Sequence, residues 1–270
     1  MIQRFLFLAI FSFIGFTACG DNNAEPNTPK PSEKKKLVTM TYNIHHGAPE
    51  GSEVVNLSNI AAVIRNSGAE LVALQEVDVN VPRSGNVNQA EELAKLLDMH
   101  YYFSKSIDYK GGEYGVAILS KYPLSNKKRE SLPMPTAGEQ RSVAMANVTL
   151  PNNKTLTFAA THLDLNVPNR TAQAEHLIGI SKSLNQPLMI GGDYNAEPNS
   201  TEMIKLKEEF TLSCMSTCAK SFPVRNPTKA IDFMASNQLA RKVFTLVSGV
   251  ALNNQYASDH LPVVAIYHYD

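Results

Sequence analysis

The chain is expected to fold as one α+β domain, with two sheets packed face to face and helices outside. Three observations predict it. Apolar, β-branched runs of strand length recur from Leu37 to the end of the chain. Stretches with apolar residues at helical spacing fall between several of them. No internal repeat and no second linker interrupts the region. Hydrophobic residues make up 43% of the 270 and charged residues 19%, a composition that supports a well-packed body rather than disorder. Sheets packed on each other, with helices on their outer faces, would bury this many apolar strands.

The elements follow in order. "KLVTMTYNI" is a strand. "LSNIAAVIRNSG" is a helix with Leu57, Ile60, Val63 and Ile64 on one face, and Gly68 can end it. "AELVALQEV" is a buried strand. "NQAEELAKLLDM" is a helix with Leu93, Leu96 and Leu97 on its apolar side. "YGVAILSK", "RSVAMANVTL" and "KTLTFAATHL" are expected to be neighbouring, mostly antiparallel strands, separated by turns at "YPLSN" and "LPNNK". "NRTAQAEHLIGISKSL" is an amphipathic helix, "QPLMIGGDY" a strand, "STEMIKLKEEF" a short helix and "AIDFMAS" a strand. The last strand covers 261–267, an apolar run directly after Asp259 and His260.

Before Leu37 the composition changes. Arg4 followed by "FLFLAIFSFIGF" has the charge and length of a secretion signal and is too short for a confident spanning helix. "FTACG" then resembles the lipobox of bacterial lipoproteins, with Cys19 as the lipidated residue. "GDNNAEPNTPKPSEKKK" is polar and Pro-rich, as a tether would be. The expected organisation is a leader over 1–18, a tether over 19–36 and a folded domain over 37–270. The expected location is the bacterial cell envelope, lipid-anchored at the outer membrane or facing the periplasm. Export places Cys214 and Cys218 in an oxidising compartment, where a local disulfide or two free thiols are favoured over a zinc site.

Lys+Arg and Asp+Glu both number 25, so no broad basic field exists to hold duplex nucleic acid. The chemistry-bearing residues are distributed in a pattern. Asn43, Glu76, His162 and the pair Asp193 and Asn195 fall toward the ends of apolar strands. Asp232 lies within one strand, and Asp259 and His260 head another. Each has an ordinary structural use: a turn cap at Asn43, a pairing of Glu76 with Arg65, a pairing of Asp232 with Lys229. Together they are harder to dismiss, because burying such groups unpaired costs roughly 1–3 kcal/mol each. Carboxylates and a carboxamide favour a hard divalent cation, Mg²⁺ or Mn²⁺, over zinc.

"TYNIHHG", "LVALQEVD", "GVAILSKYPL", "QRSVAMANV", "FAATHLD", "MIGGDYNAEP", "KAIDFMAS" and "SDHLPVVA" resemble, in order, the motifs of the endonuclease/exonuclease/phosphatase superfamily. The resemblance implies a four-layer α/β/β/α sandwich and metal-dependent phosphoester hydrolysis. By the same resemblance Glu76, Asn43 and Asp259 hold the metal. Asp193 and Asn195 position or activate water, with Asn195 also on the phosphate. His260 is the imidazole at the phosphate, oriented by Asp232. His162 and Arg141 face phosphate. Relatives that carry a further metal contact place an acid two positions after the Asn, where this chain has His45, followed by His46.

The expected function is therefore a tethered Mg²⁺- or Mn²⁺-dependent phosphodiesterase or phosphatase. The expected partners are a small phosphoester or lipid headgroup rather than nucleic acid, and the membrane through the lipid anchor. A monomer is expected. The alternatives are a secreted nuclease for scavenging and a non-catalytic binding lipoprotein. Two further segments admit two uses each: Lys127, Lys128 and Arg129 as cleft border or solvated loop, and Arg170 with Gln173 as phosphate contacts or loop braces.

Overall fold

The computed structural model describes residues 34–270, so the predicted leader, Cys19 and nearly all of the tether lie outside the described residues. Strands are β1 Lys35–Asn43, β2 Leu71–Val79, β3 His100–Tyr109, β4 Gly112–Ser120, β5 Leu124–Ser131, β6 Ser142–Thr149, β7 Thr155–His162, β8 Leu188–Asp193, β9 Phe210–Leu212, β10 Asp232–Asn237, β11 Thr245–Ala251 and β12 Val263–Tyr269. Helices are α1 Leu57–Ser67, α2 Gln89–Leu97, α3 Val167–Leu184, α4 Thr201–Leu206 and α5 Gln238–Val243.

The strands form two six-stranded sheets. The first runs β11-β12-β1-β2-β4-β3 and the second β5-β6-β7-β8-β10-β9. Each contains one parallel pair, β1 with β2 and β7 with β8, and is otherwise antiparallel. Three buried clusters establish the layers. Leu37, Ala73 and Ile118 of the first sheet meet Phe158, Ala160 and Met189 of the second. Ile60 and Ile64 of α1 and Leu93 of α2 cover the outer face of the first sheet. Leu177 of α3 and Met203 of α4 cover the second. This is the expected four-layer α/β/β/α sandwich. Each fully buried aliphatic or Phe side chain contributes about 1.5–3 kcal/mol.

The helices carry sequence-encoded ends. Asn56 and Asn88 accept the backbone N–H three residues on, capping α1 and α2, and Gly68 ends α1 at φ 70°. On α2 the apolar stripe is rotated from the expected one. Ala90, Leu93 and Ala94 are buried while Leu96 is 42% exposed. The two alanines bring the helix close to the sheet and turn Leu96 outward.

Two expectations are corrected. β4 belongs to the first sheet and pairs with neither β6 nor β7, which it meets only face to face. Pro123 has no N–H to continue a ladder, and the chain crosses between sheets there. The segment expected to be a turn followed by a cleft border or solvated loop contains a strand, β5. Lys127 and Arg129 donate to the carbonyls of Tyr101 and Lys105, and Lys128 pairs with Glu130. Cys214 and Cys218 form the local disulfide. Among the described residues, no helix is long and apolar enough to cross a membrane.

The sheets pack tightly near the residues that carry the polar groups. A Cβ on Gly191 of β8 would lie 2.5 Å from the Cβ of Ala73 on β2. Only glycine fits there, and the approach brings the ends of β1 and β8 within hydrogen-bonding reach.

Candidate active site

The second sheet delivers its residues in a row. His162 ends β7 and Asp193 ends β8, and the two are register partners. Asp193 is also the register partner of Asp232, the first residue of β10. Three adjacent strands thus present His, Asp and Asp at one level. Asp232 stands at the start of its strand rather than within it, because β10 runs antiparallel to β8.

The first sheet delivers its residues through irregularity. β2 and β4 lose register between Leu74 and Val77, and Glu76 inside that bulge has φ 58°. Glu76 therefore lies mid-strand, not at a strand end, and the bulge aims its side chain. Asp259 and His260 come from the loop before β12.

Hydrogen bonds join the two halves. Asn43 Nδ2 donates to Glu76 Oε1 at 2.9 Å and to Asp193 Oδ2 at 3.2 Å. His260 Nδ1 meets Asp232 Oδ2 at 2.9 Å, and its Nε2 lies 3.7 Å from Asp193 Oδ2. The Ser221 hydroxyl donates to the same Asp232 oxygen at 2.5 Å. Asn195 donates its backbone N–H to Asp193 Oδ1 at 2.8 Å. Ser258 Oγ donates to the Asn43 carbonyl and contacts Asp259 Oδ1. The ring of Phe222 stacks at 4.6 Å on that of His260.

His162 is held between two donors. Arg141 Nη1 lies 3.0 Å from its Nδ1 and Asn195 Nδ2 lies 3.0 Å from its Nε2. A neutral imidazole accepts at one nitrogen only, and guanidinium and carboxamide N–H groups only donate. One contact therefore crowds two N–H groups together, an arrangement that an anionic oxygen accepting from both would satisfy.

Burial and neighbouring charge set the protonation states. Burial, then Asp232, push Asp193 up to about 7. Burial alone would lower His260, but Asp232 and Asp193 override it and hold the imidazole up at about 10. Burial and Arg141 drive His162 well below the usual histidine range. Burial and Asp259 raise Glu76, with the Asn43 hydrogen bond opposing them.

The donor set suits a divalent cation. Glu76 and Asp259 repel each other, and neither makes an ion pair with Lys or Arg among the described residues. Ligand atoms of Asp193, Asp232 and His260 lie within 4.8 Å of one another, and so do those of His45, His46 and Glu76; Asp259 falls outside both groups.

All nine predicted side chains of the folded domain converge here: Asn43, Glu76, Arg141, His162, Asp193, Asn195, Asp232, Asp259 and His260. The ordinary pairings do not form at two of them: Arg65 donates to the Leu96 carbonyl, and Asp232 takes His260 and Ser221. Asn43 keeps its turn role as well, accepting from the His45 N–H. Arg170 binds Glu202 and two carbonyls, and Gln173 binds the Asp164 N–H, so both brace the loop after β7. Sequence reasoning missed Ser221, Phe222 and Ser258. Ser258 adjoins the Asp-His pair and could have been suspected. Ser221 and Phe222 sit in a loop with no motif.

Comparisons with known proteins bear on the fold and the family. The chain is 23% identical over 254 residues to the uncharacterized protein YbhP of Escherichia coli (strain K12), covering 89% of this chain and 99% of that one. Its fold matches an endonuclease/exonuclease/phosphatase from Beutenbergia cavernae with TM-score 0.74 at 23% identity, covering 87% and 72% of the two chains. It also matches a mannosyl-6-phosphatase of Bacteroides thetaiotaomicron with TM-score 0.67 at 15% identity, covering 85% and 98%. The model of the Endonuclease/Exonuclease/phosphatase family matches residues 40–260, and the chain belongs to that family.

Proposed function

We propose that this protein is a divalent-metal-dependent phosphoester hydrolase, tethered in the bacterial envelope through Cys19, that acts on a small phosphoester or lipid headgroup. The observation that carries the reading is the row His162, Asp193, Asp232 facing Asn43, Glu76, Asp259 and His260 across the seam between the sheets. Family members hydrolyse phosphoesters and commonly use divalent metals.

Asp193 is the base. Its carboxyl, held at about 7, accepts a proton from water near neutral pH, while His260 at about 10 is already protonated there. The backbone N–H of Asn195 and the Nδ2 of Asn43 fix the two Asp193 oxygens. His260, oriented by Asp232, presents a cation to the phosphoryl oxygens. Asn195 Nδ2 and Arg141 Nη1, crowded against His162, donate to the oxygen on which negative charge develops. Glu76, Asn43 and Asp259 would hold Mg²⁺ or Mn²⁺, which supplies charge neutralisation of the phosphoryl oxygens and of the leaving oxygen.

The balanced charge of the chain supports a small substrate over duplex nucleic acid. The mannosyl-6-phosphatase among the fold matches is consistent with that class. Purified protein should hydrolyse bis-p-nitrophenyl phosphate or p-nitrophenyl phosphate with Mg²⁺ and stop with EDTA. An absence of metal-dependent turnover on either would overturn the reading. Cys19→Ser should release the protein from membranes, and continued pelleting with them would refute the tether.

A further inference from the structure

The turn after β1 carries side chains that this mechanism does not use. His45, His46 and Gly47 follow one another with φ 45°, 44° and 81°. Two consecutive non-glycine residues in the left-handed region cost of order 1–3 kcal/mol each and persist only where surrounding structure imposes them. Here buried Gln89 donates to the His46 carbonyl at 2.6 Å, and the Asn43 carboxamide accepts the His45 N–H at 3.0 Å.

The strained turn presents imidazole nitrogens. His45 Nδ1 lies 3.1 Å from the Ala48 carbonyl, which only accepts, so Nδ1 carries the proton and Nε2 keeps its lone pair. A backbone carbonyl fixing one nitrogen so that the other can ligate is the usual support of a metal-bound histidine. His46 is 5% exposed, and neither of its ring nitrogens has a hydrogen-bond partner. Leaving such a group unsatisfied costs roughly 1–3 kcal/mol. Ligand atoms of His45, His46 and Glu76 lie within 4.8 Å of one another. Atoms about 2.1 Å from a shared ion lie at most about 4.2 Å apart, so only a small closure of the half-buried His45 and Glu76 is needed.

We propose that His45, His46 and Glu76 form a nitrogen-rich site for a borderline divalent ion of the zinc or cobalt type, next to the oxygen-donor set and sharing Glu76 with it. The proposal rests on the reading of Glu76 as a cation ligand. Two imidazoles favour such ions strongly over Mg²⁺. Three protein ligands leave a position open for water or a substrate oxygen, as in reactive rather than structural sites.

The test uses the metal-stripped full-length chain with Co²⁺ or Zn²⁺ alone and with excess Mg²⁺. Zn²⁺ X-ray absorption at one equivalent should show two imidazoles, and Mg²⁺ should not displace the ion. His45→Gln and His46→Gln should each remove one imidazole and weaken Co²⁺ binding on the order of tenfold or more, with Mg²⁺ affinity nearly unchanged. Fewer than two imidazoles in the unaltered protein, a measurement independent of how any variant folds, would overturn the site. So would Co²⁺ affinity that survives both substitutions. If two imidazoles bind Zn²⁺ while no divalent ion, Mg²⁺ and Mn²⁺ included, supports hydrolysis, the site stands and the hydrolase reading falls. If Mg²⁺ supports hydrolysis without imidazole-bound Zn²⁺, only this site falls.

Discussion

The two sheets build their halves of the site by opposite means. The second sheet uses its regular ladder: His162, Asp193 and Asp232 sit at one level because parallel and antiparallel register put them there. The first uses departures from regularity: a bulge with φ 58° at Glu76, a left-handed turn at His45 and His46, and a loop bearing Asp259. Hydrogen bonding differs accordingly. Both oxygens of Asp193 are engaged, and one oxygen of Asp232 accepts from two groups. Glu76 and Asp259 each have a single side-chain partner. A regular ladder suits groups that must hold one geometry through a reaction. Irregular backbone suits groups left open for a ligand.

The sharpest way to break this contrast is at the centre of the ladder. Asp193→Asn should lower turnover by about 10³–10⁴-fold, the upper part of the range for acid–base catalysis, without unfolding the protein. Because the folded state raises the Asp193 carboxyl to about 7, its ionisation costs stability as pH rises through that value. The variant should therefore melt no lower than the unaltered chain at pH 8. A near-normal rate would remove Asp193 from the chemistry.

Asp232→Asn comes next, with a loss of about 10²-fold and a displaced alkaline limb. His260 is held up at about 10, so its pairing stabilises the fold fully below the ordinary value near 6.5 and is lost as pH rises through 10. Without the carboxylate, the alkaline limb of kcat/KM should move down toward the ordinary imidazole range. A fixed limb would separate the pair from the mechanism.

On the irregular side, Glu76→Gln should weaken apparent Mg²⁺ affinity by about tenfold or more, with part of the rate recovered at high Mg²⁺. An unchanged metal titration would count against its role. The smallest effect on chemistry is expected from Gly191→Ala. Its Cβ meets that of Ala73 at 2.5 Å, so stability should fall by about 1–3 kcal/mol. Thermal melting measures this, and an unshifted midpoint would mean the seam can widen.

The same contrast governs what could be read from residues alone. Eight strands were legible, and the four that were not, β3, β5, β9 and β11, are the four sheet edges. An edge strand is incompletely covered, so its apolar pattern fades. β5 is "LSNKKRES", almost wholly exposed, and β9 has three residues. In the site, Asp193 and His162 stood out as polar ends of apolar runs. Glu76 stood out as an acid in a buried strand, but the bulge that turns it had no signature. Ser221 and Phe222 were invisible because contact with Asp232 and His260 depends on a loop path that local spacing does not encode.

The division of labour across the seam has a consequence for assembly. Neither half contains a complete set: Asp193 and its row belong to one sheet, His260 and the open carboxylates of Glu76 and Asp259 to the other. A chain with both sheets formed but not yet docked would be chemically silent. Recovery of turnover after dilution from denaturant would then time the last closure of the sandwich, a step that helix or strand signals, already complete, would no longer register.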